Sequence, residues 1–215
     1  GLGKSGLSVL KFLKKDNEIT THDDKIKNNN KKITKIKFDY VIISPGIDIN
    51  KCSLSKFLKN NSKKIYTDLD IFYNHHKLNN KITITGTNGK STTAKILYDV
   101  LRDQKVDVRL VGNIGNPILL EKKVTKRTVF VIEASSYQLE YSKIFKSNIS
   151  LILNISPDHL ERHKTINQYV SAKFKLVKNQ SRKDIAILNI KNFYIKRELQ
   201  SKNYLPKVIK IKKNI

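Results

Sequence analysis

The chain has 215 residues, 43 Lys and Arg against 18 Asp and Glu, a formal net charge of +25, and 39% hydrophobic residues. That balance fits a soluble globular protein of one large or two small domains, and no apolar run reaches the ~18 to 20 residues that a membrane-spanning helix needs. A single cysteine, Cys52, excludes an intrachain disulfide and fits a reducing cytoplasm, and the N-terminus lacks the apolar core of a signal peptide.

The positive charge invites a nucleic-acid reading. The lysines, however, are spread along the whole chain among abundant Asn and Ile, as an AT-rich genome favours. No aromatic-interleaved basic motif or zinc-finger spacing accompanies them. The expectation is therefore no dedicated nucleic-acid binding, but a field that draws in nucleotides and phosphates. Methionine is absent, and residue 1 already lies inside a glycine-rich turn. Both features predict an incomplete chain that lacks a leading strand.

Residues 1–75 alternate short strands and helices. Gly1 to Gly6 opens a helix to about Lys15 with an apolar face of Leu7, Val9, Leu10, Phe12 and Leu13. Ile19–His22 reads as a strand ending at Asp23-Asp24, and Lys25–Lys32 as a polar loop. Phe38–Ile43 reads as a buried strand ended by Ser44-Pro45-Gly46. A helix near Ser53–Asn60, a strand at Lys64–Tyr66 and a helix capped by Thr67 or Asp68 follow. His75–Asn80 is polar and reads as a domain link.

Residues 81–215 repeat the alternation on a larger scale. Strands are expected at 81–85, 107–111, 128–133, 149–154 and 184–188, and helices at 91–103, about 136–145 and 167–179. Val208 onward reads as a further strand. This βαβ rhythm predicts a mostly parallel sheet with helices on both faces, whose ligands sit at the carboxyl ends of the strands.

The chemistry concentrates there. Gly86-Thr87-Asn88-Gly89-Lys90-Ser91-Thr92-Thr93 follows the β-branched run Ile82–Thr85 and precedes a helical pattern. Strand, glycine turn, Lys-Ser and helix together predict a phosphate-binding loop. Glycines let backbone N–H groups converge on phosphate oxygens, the helix N-terminus adds its dipole, Lys90 reaches the terminal phosphates, and Ser91 or Thr92 offers a hydroxyl to Mg²⁺. It is the short Gly-x-x-Gly-Lys-Ser form, with Ile84 where the longer form has glycine.

Gly1-x-Gly3-x-x-Gly6 matches a dinucleotide fingerprint, with Asp23 and Asp24 at ribose-meeting distance; a tight turn needed only for packing is the alternative. Glu133 ends an apolar strand and reads equally as a Mg²⁺ ligand or as a solvated strand end. His159 could ligate a metal or touch a phosphate, though a lone loop histidine is usually inert. Lys173 does not stand out among so many lysines.

Residues 1–8, 44–47, 68–72, 84–92, 112–115, 133–140, 154–163 and the Tyr169-x-x-Ala172-Lys173 segment together resemble the Mur ligase family. The Ser-Ser-Tyr-Gln-Leu-Glu segment with Asn-Ile-Gly points to its D-glutamate-adding branch. The resemblance implies an α/β fold: an incomplete Rossmann-like domain over 1–75 and a P-loop ATPase-type central domain over 76–215. A C-terminal, D-glutamate-binding domain is expected to be missing and the central domain cut short.

It implies an ATP-dependent, ADP-forming amide ligase acting through an acyl phosphate, with UDP-N-acetylmuramoyl-L-alanine, D-glutamate and ATP as partners. Such an enzyme works in the cytoplasm on peptidoglycan precursors, as a monomer without nucleic acid or membrane. Gly86 to Thr93 would hold ATP. Lys90, Glu133, His159 and Lys173 would be catalytic. Ser91 (or Thr92) and Glu133 would hold one Mg²⁺, and His159 and Lys173, the latter carbamylated by CO₂, a second. Ser5, Asp23, Asp24, Lys25 and Gly46 would contact the UDP part; Asn113, Ser135, Gln138 and His159 would face the sugar and peptide. Lys4 and Ala134 depart from the family pattern, and the stretch between His159 and Tyr169 looks one residue short. Rival readings are a folylpolyglutamate-type ligase and a nucleotide-binding or nucleic-acid-binding protein without catalysis.

Overall fold

The computed structural model describes residues 1–26 and 33–212. Most of the predicted loop at Lys25–Lys32, and residues 213–215 at the end of the predicted last strand, lie outside them. Helix α1 (Lys4–Leu13) opens the chain. Two short β-branched and aromatic stretches, β1 (Val41–Ile42) and β2 (Ile65–Tyr66), pair in parallel, with helix α2 (Ser55–Asn60) between them. Helix α3 (Asp68–His75) then leads into the larger sheet.

That sheet runs β3 (Asn80–Thr85), α4 (Lys90–Asp103), β4 (Val108–Gly112), β5 (Val129–Glu133), α5 (Ser136–Glu140), β6 (Ile149–Ile152), α6 (Leu160–His163), α7 (Ile166–Lys178), β7 (Ile185–Asn189), α8 (Phe193–Ser201) and β8 (Lys207–Ile211). Its strand order is β4-β5-β3-β6-β7-β8, and every pairing is parallel. The chain leaves β3 for the edge strand β4, returns to β5 between the two, and then crosses to β6 and works outward to β8 on the other side.

Because alternate residues of a strand face opposite sides, each helix finds its own stripe. Ile84, Val108 and Val131 pack under Ala94, Leu97 and Leu101 of α4. On the opposite face, Val111, Phe130 and Ile132 receive Val9 of α1 and Leu69 and Phe72 of α3. Ile152, Ala186 and Leu188 receive Tyr169, Val170, Phe174 and Val177 of α7 and Ile195 of α8.

Asp70 locks α3 to this body. Its Oδ1 accepts the Ser142 hydroxyl at 2.8 Å and the amides of Lys143, Ile144 and Phe145 at 2.9, 2.9 and 3.0 Å. Its Oδ2 accepts the amide and hydroxyl of Thr67 at 3.0 and 3.1 Å, closing a capping box at the start of α3. A buried carboxylate is tolerated when donors satisfy it in this way.

Several elements differ from the reading of the sequence. The helix expected over 136–145 stops at Glu140, because the amides of 143–145 turn to Asp70 instead of extending it. Ile19–His22 joins no strand among the described residues; the small sheet stops at β1 and β2, and side-chain bonds from Asp23 and Asp24 anchor the segment. The strand expected over Phe38–Ile43 shortens to Val41–Ile42, since β2 offers only two partners. Helix α8, capped by Asn192, and the single turn α6 were not anticipated.

Replacing Asp70 with Asn keeps one acceptor oxygen but turns an NH2 group towards either the Thr67 donors or the amides of 143–145, so that one set loses its acceptor. The expected loss is about 2–4 kcal/mol of unfolding free energy, seen as a lower urea midpoint at unchanged slope. A loss below about 1 kcal/mol would show that the interaction is not needed to hold α3.

Candidate functional site

β3 and β6 are neighbours whose onward connections diverge: the chain leaves β3 for α4 on one face and leaves β6 for α7 on the other. A crevice opens at such a switch point, at the carboxyl ends of the strands. The Gly86–Lys90 loop occupies it. Gly89 caps α4 at φ +79°, a left-handed conformation that favours glycine.

Asn154, just after β6, stitches the two connections together. Its carbonyl accepts the Thr87 amide at 2.9 Å, its Oδ1 accepts the amides of Thr87 and Asn88 at 3.2 and 2.9 Å, and its Nδ2 donates to the Asn88 carbonyl at 3.1 Å. The Ser156 amide donates to the Thr87 hydroxyl at 3.0 Å. In this state, then, the Thr87 and Asn88 amides serve Asn154. Lys90 folds back to donate to the Thr87 carbonyl at 2.8 Å. Lys90, Ser91 and Thr92 form the first turn of α4, where amide groups lack intrahelical partners, whereas the Thr93 amide already donates to the Gly89 carbonyl at 3.0 Å.

Glu133 ends β5 beside this loop; the Ala134 amide donates to the Ile84 carbonyl. Its side chain is buried. Oε1 accepts Asn113 Nδ2 at 2.9 Å, while Oε2 has no hydrogen-bond partner among the described residues. Asn113 reaches it because the chain turns sharply at Gly112, whose φ is +109° and where a Cβ would overlap the Glu133 carbonyl. An unpaired buried carboxylate oxygen is costly unless a cation meets it. Thus Asn113 and Glu133, expected in different roles, act together. Among the described residues no cluster of three or more His, Cys, Asp or Glu could hold a metal by itself.

Lys173, on α7, is 1% exposed and donates to the Gly86 carbonyl at 2.8 Å. It lies 4.5 Å above the Tyr169 ring, and the Tyr169 hydroxyl shares a hydrogen bond with Thr87 Oγ1 at 3.2 Å. Burial pushes the Lys173 ammonium down to about 7; Lys90 adds repulsion and Asp158 opposes the shift.

His159 sits at the N-terminus of α6 with a left-handed backbone, φ +53°. Its ring is partly exposed and faces Asp158 and Glu161 at 3.4 and 3.7 Å. Its ring centroid is 4.8 Å from that of Tyr137. Ser135 caps α5 and exchanges bonds with Gln138, whose Oε1 accepts the Ser135 amide at 3.0 Å. Gln138 is buried.

The remaining expected residues gather by α1. Asp23 accepts the Leu2 and Lys25 amides at 2.6 and 2.9 Å, and these bonds hold its carboxyl below the usual range. Asp24 accepts the Ser53 hydroxyl, and His22 Nε2 at 2.9 Å. Ser5 lies in the first turn of α1, Lys25 is exposed, and the Gly46 carbonyl accepts Arg162 at 3.4 Å. A Cβ on Gly6 would overlap the Gly1 carbonyl, so this loop is tightly closed.

The Mur ligase middle domain family matches residues 84–214. UDP-N-acetylmuramoylalanine--D-glutamate ligase of Rickettsia bellii is 36% identical over 95% of this chain and 49% of its own length. The protein of the same name from Clostridioides difficile is 36% identical over 91% of this chain and 48% of its own. The chain thus spans about half the length of these relatives. Among solved structures, a UDP-N-acetylmuramate:L-alanyl-gamma-D-glutamyl-meso-diaminopimelate ligase from Neisseria meningitides superimposes with a TM-score of 0.56 at 15% identity, covering 84% of this chain and 60% of that one. MurF ligase from Thermotoga maritima in complex with ADP gives 0.51 at 19% identity, covering 70% and 38%. At such identities the shared property is the α/β fold with its mostly parallel sheet.

The buried lysine makes a pH-dependent prediction. Between pH 7 and the unfolded lysine value near 10.4, the unfolded chain holds more of this proton, so Lys173 makes stability rise with pH in that window; below pH 7 both states are charged and the burial cost is constant. A ¹³Cε NMR titration is expected to show one lysine with a midpoint near 7, absent from a Lys173→Met variant. If every lysine titrates near 10, the burial argument fails.

Proposed function

Because the chain belongs to the Mur ligase family, we propose that it carries the ATP site and the UDP-substrate site of a ligase that joins D-glutamate to UDP-N-acetylmuramoyl-L-alanine in the cytoplasm. The observation that carries this reading is the convergence of the Gly86–Lys90 loop, the unpaired Glu133 oxygen and the buried Lys173 amine at the carboxyl ends of the central strands. The names of the relatives support the substrate, and the ADP held by the Thermotoga maritima structure supports the nucleotide.

In the proposed reaction an alanine carboxylate oxygen attacks the γ-phosphorus of ATP and ADP leaves. The D-glutamate amine then attacks the acyl carbon, and phosphate leaves through a tetrahedral intermediate. Two anions must meet, so charge neutralisation and alignment carry the catalysis. The Gly86–Thr93 segment works as a P-loop: Lys90 swings from the Thr87 carbonyl to the terminal phosphates, and the amides at the start of α4 receive phosphate oxygens. Bound Mg²⁺ would supply positive charge between phosphate and carboxylate, held by Ser91 or Thr92 with Glu133, and by His159 with Lys173.

Lys173 can become an anionic oxygen donor by carbamylation. Its neutral nitrogen attacks CO₂, an N–C bond forms, and a proton leaves to solvent. The lowered pKa and the low polarity around the amine favour the neutral form that this needs. Residues 1–75 would act as a Rossmann-like unit, with Ser5, Asp23, Asp24, Lys25 and Gly46 around uridine and diphosphate. The D-glutamate contacts are assigned to the half of the relatives that this chain does not span.

Calorimetric titration with UDP-N-acetylmuramoyl-L-alanine, in Mg²⁺ and a non-hydrolysable ATP analogue, is expected to give saturable one-to-one binding without D-glutamate addition. A Lys90→Ala variant should weaken the analogue by about tenfold or more, in keeping with a lost charge-assisted contact, and leave the UDP substrate within twofold. Affinity that falls by orders of magnitude between about 50 and 200 mM salt for any polyanion would instead favour nucleic-acid binding.

A further inference from the structure

Four rings meet between helix α5 and the segment that follows β6. Tyr137 lies 4.8 Å from the His159 ring and 5.6 Å from the His163 ring, stacked on the latter at 16°. Tyr169 closes the group, 5.3 Å from His163 and 6.3 Å from His159. The two histidines differ sharply. His159 is partly exposed, with only the surface carboxylates Asp158 and Glu161 near its nitrogens. His163, one turn further on, is 3% exposed, and its Nε2 shares a 3.0 Å hydrogen bond with Ser136 Oγ. Burial, with Arg162 adding repulsion, pushes the His163 pKa down to about 4. It is therefore a neutral ring at physiological pH and brings no second positive charge towards a cation.

We propose that His163 is a positioning residue for His159: its bond to Ser136 ties the α6 turn to the start of α5 and fixes Tyr137, on which the His159 ring rests. This deepens the reading of His159 as a ligand for a divalent cation and depends on it. An exposed histidine must give up rotamer freedom when it takes a cation. A ring already held against Tyr137 has less to lose. Outer partners of this kind orient metal-ligating histidines, and their removal typically weakens metal binding by 10–100-fold.

The link has a second anchor. Tyr169 touches both histidine rings and also bonds Thr87 of the glycine loop. His163 is thus fixed from α5 through Ser136 and from α7 through Tyr169. His159 gains its order from these neighbours; of the two exposed carboxylates beside it, Glu161 also accepts the Tyr137 hydroxyl at 3.0 Å.

Mn²⁺ is the probe, its dissociation constant read by electron paramagnetic resonance on the 215-residue chain saturated with a non-hydrolysable ATP analogue. His163→Phe keeps a ring against Tyr137 and Tyr169 but cannot bond Ser136; Ser136→Ala removes the same bond from the other side. Each is expected to weaken Mn²⁺ about tenfold, the double variant no more than either single one, because they break one interaction. Metal-free affinity for the analogue should stay within twofold. His159→Ala separates the two levels of the argument. If it weakens Mn²⁺ while His163→Phe and Ser136→Ala change only thermal stability, His163 is merely structural and the proposal fails. If His159→Ala itself leaves Mn²⁺ affinity unchanged, His159 is no ligand and both readings fall. Should His163→Phe not fold, Ser136→Ala decides alone.

Discussion

The parallel pairing of β3 with β6 is the constraint on which the rest of the site depends. It sets the glycine loop beside residues 153–159, although the two segments are more than sixty positions apart in the chain. Asn154 then makes one body of them with four hydrogen bonds. Since the onward connections take opposite faces, α4 delivers its N-terminus from one side and α7 delivers Tyr169 and Lys173 from the other. On the proposed reading, a phosphate entering between them would meet the first-turn amides of α4 and Lys90 from one side, with Lys173 held against the Gly86 carbonyl on the other.

Buried charge is treated in two ways, and the contrast separates scaffold from site. Lys81 is as buried as Lys173, and burial likewise pushes it down, to about 8. Its ammonium nevertheless donates to the carbonyls of His76, Lys77 and Asn79, just past the C-terminus of α3, where the helix dipole favours a cation. Asp70 is satisfied just as fully. At the strand ends the pattern reverses. Lys173 has one backbone acceptor and a ring face, and Glu133 Oε2 has nothing. Incomplete satisfaction costs stability, and it persists where a ligand completes it.

How much of this was legible in the sequence follows from the range of the interactions. The β-branched runs at Ile82–Thr85, Val129–Ile132 and Ile149–Ile152 declare themselves locally, and so does the glycine–lysine turn, because strand and helix signals are short-range. The Ser135–Gln138 capping box is equally local; it explains why Gln138 is occupied and was readable as such. The burial of Lys173 was not legible, since one lysine among 43 basic residues carries no mark of what packs over it. Asn154, Tyr169 and His163 escaped for the same reason: their partners Thr87 and Ser136 come from other strands' loops. The early end of α5 was hidden too, because Asp70, which captures the amides of 143–145, lies in another helix.

The same logic joins the glycine site to the first part of the chain. Arg162, in the α6 turn between His159 and His163, bonds Glu140 through Nε and Nη2 at 2.9 Å and donates to the Ile47 carbonyl at 2.6 Å. Its guanidinium also lies over the rings of Tyr137 and Tyr141, at 5.3 and 5.4 Å. Arginine suits this post: a planar, permanently charged fork can serve a carboxylate, a carbonyl and two ring faces at once, which an ammonium cannot. The residues it reaches beyond α5 belong to the Ser44–Ile47 turn, next to the loop that Gly1 and Gly6 close. Arg162 thus ties the His159 turn to the segment proposed to hold the UDP substrate.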